Sequence, residues 1–117
     1  MHRGILSAAA MLAALLPLAG CAWYTVVPSF SKTTDYTPRT HTKDEILLMM
    51  NGTVPVAPNY HVGQIEVTRS DLQSNDDVFN AMRELGVKYG FDGISEISCG
   101  PDYNAAFMCL GQAFVFK

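Results

Sequence analysis

The N-terminal end of the sequence most strongly limits what this chain can fold into. It begins with the basic Met1-His2-Arg3, continues as an apolar Ala- and Leu-rich run, and reaches Pro17 before the small residues Ala19 and Gly20. A short basic start, an apolar run and small residues are typical of a cleavable secretory signal. Removal of residues 1–20 from the 117-residue chain leaves 97 residues, which is enough for one small domain.

The signal ends in Leu18-Ala19-Gly20-Cys21, which resembles the bacterial lipobox. The resemblance implies cleavage between Gly20 and Cys21, a lipid with palmitate-type chains on the Cys21 thiol, and acylation of the new amino group. An uncleaved membrane helix is the alternative, but the apolar run 4–17 has 14 residues, and a span needs roughly 20. Ala22 stands where inner-membrane lipoproteins carry Asp, so we expect an outer-membrane anchor with the domain facing the periplasm.

The charge pattern excludes one class of partner. The signal takes one of the eight Lys and Arg residues, and the seven that remain face 11 Asp and Glu residues, giving a mature net charge of −4 with the amino terminus acylated. Phosphate binding needs clustered Lys and Arg, so we expect no nucleic-acid partner.

The sequence contains no nucleophile elbow, phosphate loop, zinc-protease helix or flanking carboxylate pair, so we expect a protein that is not an enzyme.

The cysteines predict one disulfide bond. Cys21 is assigned to the lipid, which leaves Cys99 and Cys109 as the only possible intramolecular pair. The signal directs the chain to an oxidising compartment, where disulfides persist. A redox switch is the alternative, but the two cysteines lack the Cys-x-x-Cys spacing that favours a reactive thiol. A structural bond closing this loop would stabilise the fold by about 2.7 kcal/mol.

Composition divides the mature chain into two parts. Residues 21–43 carry the lipidated cysteine followed by many Ser and Thr residues with Pro28 and Pro38, and they show no hydrophobic periodicity. This pattern predicts a flexible tether that reaches about 70 Å when fully extended. Residues 44–117 then form the globular domain.

Within the domain, the hydrophobic pattern predicts the order strand, strand, helix, strand, strand. Residues 46–50 are apolar throughout, so a strand is favoured there over a buried helix by length alone. Alternation predicts strands over 60–68, 91–99 and 105–116, and a helical period appears between residues 70 and 90. We therefore expect an α+β domain with a small mixed sheet of about four strands and one helix on one face.

The helix has recognisable ends and one apolar face. Ser74 is the expected N-cap, with Asp77 completing a pattern that resembles a capping box, and Gly90 is the expected stop. The apolar residues that should face the sheet are Val78, Met82, Leu85 and Tyr89.

From about Tyr60 onward, the chain contains the segments Val62-Gly63-Gln64-Ile65, Gly90-Phe91-Asp92-Gly93-Ile94, Ile97-Ser98-Cys99 and Cys109-Leu110-Gly111-Gln112-Ala113. Through these segments it resembles the RcsF family of outer-membrane lipoproteins. It implies an envelope-stress sensor that works through contacts with an envelope protein. A looser resemblance to small YbjQ-like domains rests on the strand–helix–strand pattern with its Asp-Gly turn. It implies instead an oligomeric domain that binds a ligand or a metal.

The candidate metal ligands are scattered. His41 lies in the predicted tether and His61 at the start of a strand, with no paired ligand spacing between them. Asp71, Asp76 and Asp77 lack the alternating acidic pattern of a calcium loop and suit the start of a helix instead. We therefore expect no metal and no cofactor beyond the covalent lipid on Cys21.

The last predicted strand suggests where a partner binds. Its residues alternate two apolar sets, and a single helix covers only one face of a sheet. Exposed apolar patches usually mark interaction sites. We therefore expect the face carrying Phe114 and Phe116 to meet an envelope protein or a second copy of the chain.

Overall fold

The computed structural model describes residues 26–70, 75–101 and 107–117. Its strands in chain order are β1 (Val26–Lys32), β2 (Leu47–Met50), β3 (Asn59–Arg69), β4 (Gly93–Gly100) and β5 (Phe107–Phe116). A short 3-10 turn, Lys43–Glu45, precedes β2, and one α-helix, α1 (Asp76–Tyr89), connects β3 to β4. The described strands form a single five-stranded sheet.

The strand order across the sheet is β1-β3-β5-β4-β2. β5 is central and pairs antiparallel with both β3 and β4, so β3 and β4 run parallel to each other on either side of it. β1 pairs antiparallel with β3, and β2 pairs parallel with β4. The α+β class and the mixed sheet with one helix are therefore confirmed, and the sheet has five strands where the sequence predicts about four.

The helix packs one apolar face against the sheet. Val78, Met82 and Leu85 are buried as the helical period predicts, whereas Tyr89 is half-buried. Gly90 ends the helix with a φ of 76°, a conformation that glycine adopts without steric cost. The N-cap is Asn75 rather than Ser74, and it makes no side-chain capping bond. Ser74 itself lies outside the described residues.

Strand alternation divides the sheet into two faces. The helix face carries Ile65, Val67, Cys109 and Ala113, which belong to one buried cluster with the apolar residues of α1. The face turned away from α1 is called the open face. Because successive side chains of a strand point to opposite faces, Gln64, Glu66, Leu110 and Gln112 lie on the open face, where no helix of the described residues covers them.

The predicted flexible tether over residues 21–43 is wrong for its described part. Residues Val26–Lys32 form β1, which pairs along its whole length with Gly63–Arg69 of β3. The physical reason is Phe30, whose ring packs 4.8 Å from that of Tyr89 and 5.3 Å from that of Phe91. A Cβ atom on Gly63 would lie 2.4 Å from the Phe30 ring, so the glycine provides the space that this ring occupies.

The segment after β1 also belongs to the domain. The Tyr36 hydroxyl donates to the carbonyl of Tyr89 at 2.7 Å, and the Arg39 N–H donates to the carbonyl of Gly90 at 2.9 Å. Ile46 is buried and would contact any side chain placed at Gly86 of α1. The strand predicted at residues 46–50 is confirmed as β2, an edge strand that begins one residue later.

The disulfide bond between Cys99 and Cys109 is confirmed. The two residues stand directly opposite each other in the β4–β5 pair, with Cα atoms 4.1 Å apart. Cys109 is fully buried and Cys99 packs against the same core. The bond therefore joins the two strands of the C-terminal hairpin next to residues 102–106, which lie outside the described part of the chain.

Candidate interaction surface

The open face contains a shallow polar groove. Its volume is about 400 Å³. The groove is lined by Asn51, Gln64, Ile65, Glu96, Ser98, Leu110, Gly111 and Gln112. Amide side chains both donate and accept hydrogen bonds, and a carboxylate accepts them, so this lining can bind the polar groups of a polypeptide. Leu110 is 45% exposed beside them and offers an apolar contact.

One wall of the groove has an unusual backbone. The β4–β5 register shifts between Ser95 and Ser98, so β4 bulges at Glu96. Glu96 has a φ of 55°, the only positive φ of a non-glycine residue that the described part contains. Bulge positions with this backbone are usually glycine, and strained residues of this kind concentrate at functional sites. The chain therefore carries Glu96 at the groove, although glycine would adopt this backbone conformation with less strain.

His61 lies beside Glu96 at the edge of the groove. Its Nε2 is 3.7 Å from the Glu96 carboxylate and 3.5 Å from the hydroxyl of the buried Ser95. The histidine and the glutamate are each about half exposed, and such ion pairs contribute little stability because water screens them. Within residues 26–70, 75–101 and 107–117, no three His, Cys, Asp or Glu side chains come together as a metal site would require.

The structure corrects the partner site that the sequence predicts at Phe114 and Phe116. Both residues lie on the open face, but Phe114 is 0% exposed and cannot meet a partner. Its ring packs edge-on against that of Phe116 and covers the backbone of Gly93, where a Cβ atom would lie 2.6 Å away. Phe116 remains half-buried. The exposed apolar residue of the groove is Leu110, which strand alternation places on the same face as Phe114 and Phe116.

A second polar cluster is centred on Asp92, whose carboxylate is only 5% exposed. It accepts hydrogen bonds from the Arg39 guanidinium and, at 2.7 Å, from the backbone N–H of Phe116. His41 Nε2 lies 2.7 Å from its other oxygen. Arg39 also donates to the carbonyl of Phe116 at 2.7 Å. Asp92 therefore joins residues 39–41 to the end of the last strand.

The Asp92 cluster has a structural role that local sequence does not indicate. The sequence pattern predicts a turn at Asp92-Gly93 and places His41 in the tether. Instead, the side chain of His41 is 17% exposed, with Glu45 3.8 Å from its Nδ1. The described partners of the Asp92 carboxylate are groups of the chain itself, from residues 39–41 and from the last strand. The cluster therefore holds these segments together.

Two ionisable groups near this segment are shifted by their surroundings. The backbone N–H of Thr42 donates to Glu45 Oε1 at 2.8 Å and lowers the pKa of that carboxyl. Burial raises the pKa of Tyr36 above its ordinary value. Both residues lie in the segment 33–45. The burial of Tyr36 agrees with the hydrogen bond from its hydroxyl to Tyr89 at the end of α1.

The remaining predicted site residues cannot be placed. Gly20 and Cys21, the expected cleavage and lipidation positions, lie outside the described residues, as does Asp71. In the part of the chain that the structure describes, no helix combines the length and the apolar character needed to cross a membrane.

Comparison with known proteins gives no relative for this chain. No protein-family model, no curated protein and no solved structure matches the sequence or the fold significantly.

Proposed function

We propose that this chain is a lipid-anchored bacterial envelope protein that acts as a non-enzymatic interaction module. The observation that carries the proposal is the groove on the open face, where the strained Glu96 and the exposed Leu110 stand next to amide side chains. A sheet face with this mixture of polar and apolar groups suits a protein partner. The Leu18–Cys21 lipobox pattern supports export and anchoring of the domain in the outer membrane.

The narrower proposal is an envelope-stress sensor of the RcsF kind. Its support is the order of lipobox, connecting segment and a domain with a C-terminal disulfide, together with the Asp92-Gly93 turn. In this proposal, the open face binds an envelope protein, and damage to the envelope changes that contact. The covalent lipid on Cys21 is the only attached group that the proposal needs.

The anchor is tested by Cys21→Ser in the producing bacterium. We expect the wild-type chain to incorporate a labelled fatty acid and to fractionate with the outer membrane. The variant should incorporate none and should keep residues 1–20, because lipidation precedes cleavage in this pathway. A Cys21→Ser chain that is still processed and still found in the outer membrane would rule out the lipobox assignment.

The interaction surface is tested with a photo-crosslinking amino acid in the full-length lipidated chain. One variant carries it at Leu110 on the open face, and the matched control carries it at Val87, an exposed apolar residue of α1. We expect a discrete crosslinked product from position 110 and none from position 87. Equal products from both positions, or none from position 110, would contradict the proposed surface.

The same experiment distinguishes the alternative of an oligomeric ligand- or metal-binding domain. Crosslinks from position 110 to a second copy of the chain would favour that alternative, and mass spectrometry of the product identifies which protein is joined. Gln64→Ala, made in the chain that carries the crosslinking amino acid at position 110, should reduce either product and leave the unfolding transition almost unchanged, because Gln64 lines the groove and is exposed.

A further inference from the structure

The start of β1 sets a short distance between the proposed lipid and the folded domain. β1 begins at Val26, which pairs with Arg69 of β3, only five residues after Cys21. Five residues span at most about 18 Å, whatever their conformation. A tether that extended to residue 43 would reach about 70 Å, so the strand shortens the maximum reach to roughly a quarter.

The sheet has two ends at different distances from this attachment. The anchor end is formed by the start of β1, the end of β3 and the start of β5, where Val26, Arg69 and Phe107 pair in register. The far end contains Asn59 paired with Phe116, together with the Asp92 cluster. β3 has 11 residues, which places the two ends about 34 Å apart along the strand.

We infer that the domain is held against the headgroup surface of the leaflet that carries its lipid, with the anchor end toward the lipid and the Asp92 cluster pointing away. This inference rests on the proposed lipidation of Cys21. The farthest part of the sheet then lies on the order of 50 Å from the anchor, the sum of these two lengths. The groove, which lies on a face of the sheet, is then between these two ends.

Electrostatic attraction does not hold the anchor end of the domain at the headgroup surface. Asp77 lies next to Val26 and Pro28 at the anchor end, on the rim of a shared surface depression, and Asp76 precedes it in the first turn of α1. Arg69 lies at the same end but is buried, and the described residues there form no cluster of Lys and Arg that would attract anionic headgroups. The short covalent connection is therefore the cause, and lengthening it should be sufficient to release the domain from the surface.

The inference is tested with the purified lipidated chain in zwitterionic phospholipid vesicles that contain a nitroxide-headgroup lipid. A genetically encoded fluorescent amino acid replaces Val27 near the anchor end, or Lys117 at the far end; both residues are exposed. We expect several-fold stronger quenching at position 27 than at position 117. Inserting about 15 Gly and Ser residues between Thr25 and Val26 should reduce quenching at position 27 to the level at position 117. The lengthened connection, about 20 residues from Cys21 to the strand, averages about 25 Å as a flexible coil.

The outcomes separate this inference from the proposal on which it rests. If mass spectrometry finds no lipid on Cys21, or the chain does not associate with vesicles, the proposed anchor fails. If the lipidated chain is bound but both positions are quenched equally, or the inserted segment changes nothing, the inference is overturned while the anchor stands. Circular dichroism and an intact disulfide in every variant confirm that the fold is unchanged.

Discussion

At the scale of single residues, Glu96 has a backbone conformation that favours glycine, yet it carries a long side chain. The φ of Glu96 is 55°, in the left-handed region of the backbone. This conformation costs a non-glycine residue about 1–2 kcal/mol of folding free energy. Glu96→Gly should therefore raise the free energy of unfolding by about 0.5–1 kcal/mol, after the greater freedom of glycine in the unfolded chain is included. Urea unfolding of a fragment of residues 26–117 measures this change in the free energy of unfolding.

The matched control for Glu96 is Glu66→Gly in β3, the same substitution at an ordinary strand position on the same face. It should lower the free energy of unfolding by about 0.5–1 kcal/mol. If both substitutions destabilise the domain equally, the strain at Glu96 has been misassigned. If Glu96→Gly stabilises the fold but abolishes the crosslink from position 110, the Glu96 side chain is kept for binding at a cost in stability.

Asp92 gives the second prediction at this scale. Its carboxylate accepts from Arg39 and from the N–H of Phe116 inside a site that is only 5% exposed. Asp92→Ala should lower the free energy of unfolding by about 2–3 kcal/mol, the cost of leaving charged and backbone donors without their acceptor. Asp35→Ala removes a 98% exposed partner of Lys32 and should cost less than about 0.5 kcal/mol. Similar losses from both variants would contradict the role assigned to the Asp92 cluster.

Neither of these residues could be identified from local sequence. Asp92 precedes a glycine and is a good turn residue, but its side-chain partners are 51 and 53 positions earlier in the chain. The backbone of Glu96 depends on a register shift between two strands, which is a property of their pairing. Local rules describe neighbours in the chain, whereas both features come from tertiary contacts.

At the scale of elements, α1 provides a direct test of the packing. Leu85 is buried against the sheet and Val87 on the same helix is exposed. Leu85→Ala should cost about 2–5 kcal/mol because it leaves a cavity in the core, and Val87→Ala should cost less than about 1 kcal/mol. Chemical denaturation of the two variants compares them. Equal losses would mean that the apolar face of the helix has been placed in the wrong register.

The disulfide is a second element-scale prediction. The combined change Cys99→Ser and Cys109→Ser should lower the free energy of unfolding by about 2–5 kcal/mol, as for a native bond in a small secreted domain. Reduction of the wild-type domain under native conditions should give the same midpoint as the double variant. Free thiols detected in the purified, unreduced wild-type protein would show that the bond does not form.

The elements with a clear period were predictable from it, and β2 from its short apolar run, whereas β1 has neither signal and was not predicted. The helical spacing of Val78, Met82 and Leu85 and the alternation in β3 both reflect burial on one side. β1 is an edge strand that contains Pro28 and two Ser residues, a composition also typical of linkers. Proline is tolerated on an edge strand because one side makes no ladder bonds, so composition alone cannot separate this strand from a tether.

At the scale of the whole molecule, the folded domain includes β1 and does not begin at residue 44. A fragment of residues 44–117, the unit that composition suggests, lacks β1 and the Arg39 and His41 contacts to Asp92. We expect residues 26–117 to unfold in one cooperative transition, and residues 44–117 to show a much lower midpoint or none. Equal midpoints for the two fragments would mean that β1 contributes nothing to the fold.

The attachment of the lipid to β1 also determines how the domain responds to mechanical load. The proposed anchor pulls on β1 at Val26, while a partner on the groove or far end pulls the sheet in the opposite direction. Because β1 runs antiparallel to β3 over seven register pairs, this load acts along the strand and shears all of their hydrogen bonds together. A pull across the strand would instead open them one at a time. The domain is therefore loaded in its stiffer direction and can transmit tension from the membrane to its partner.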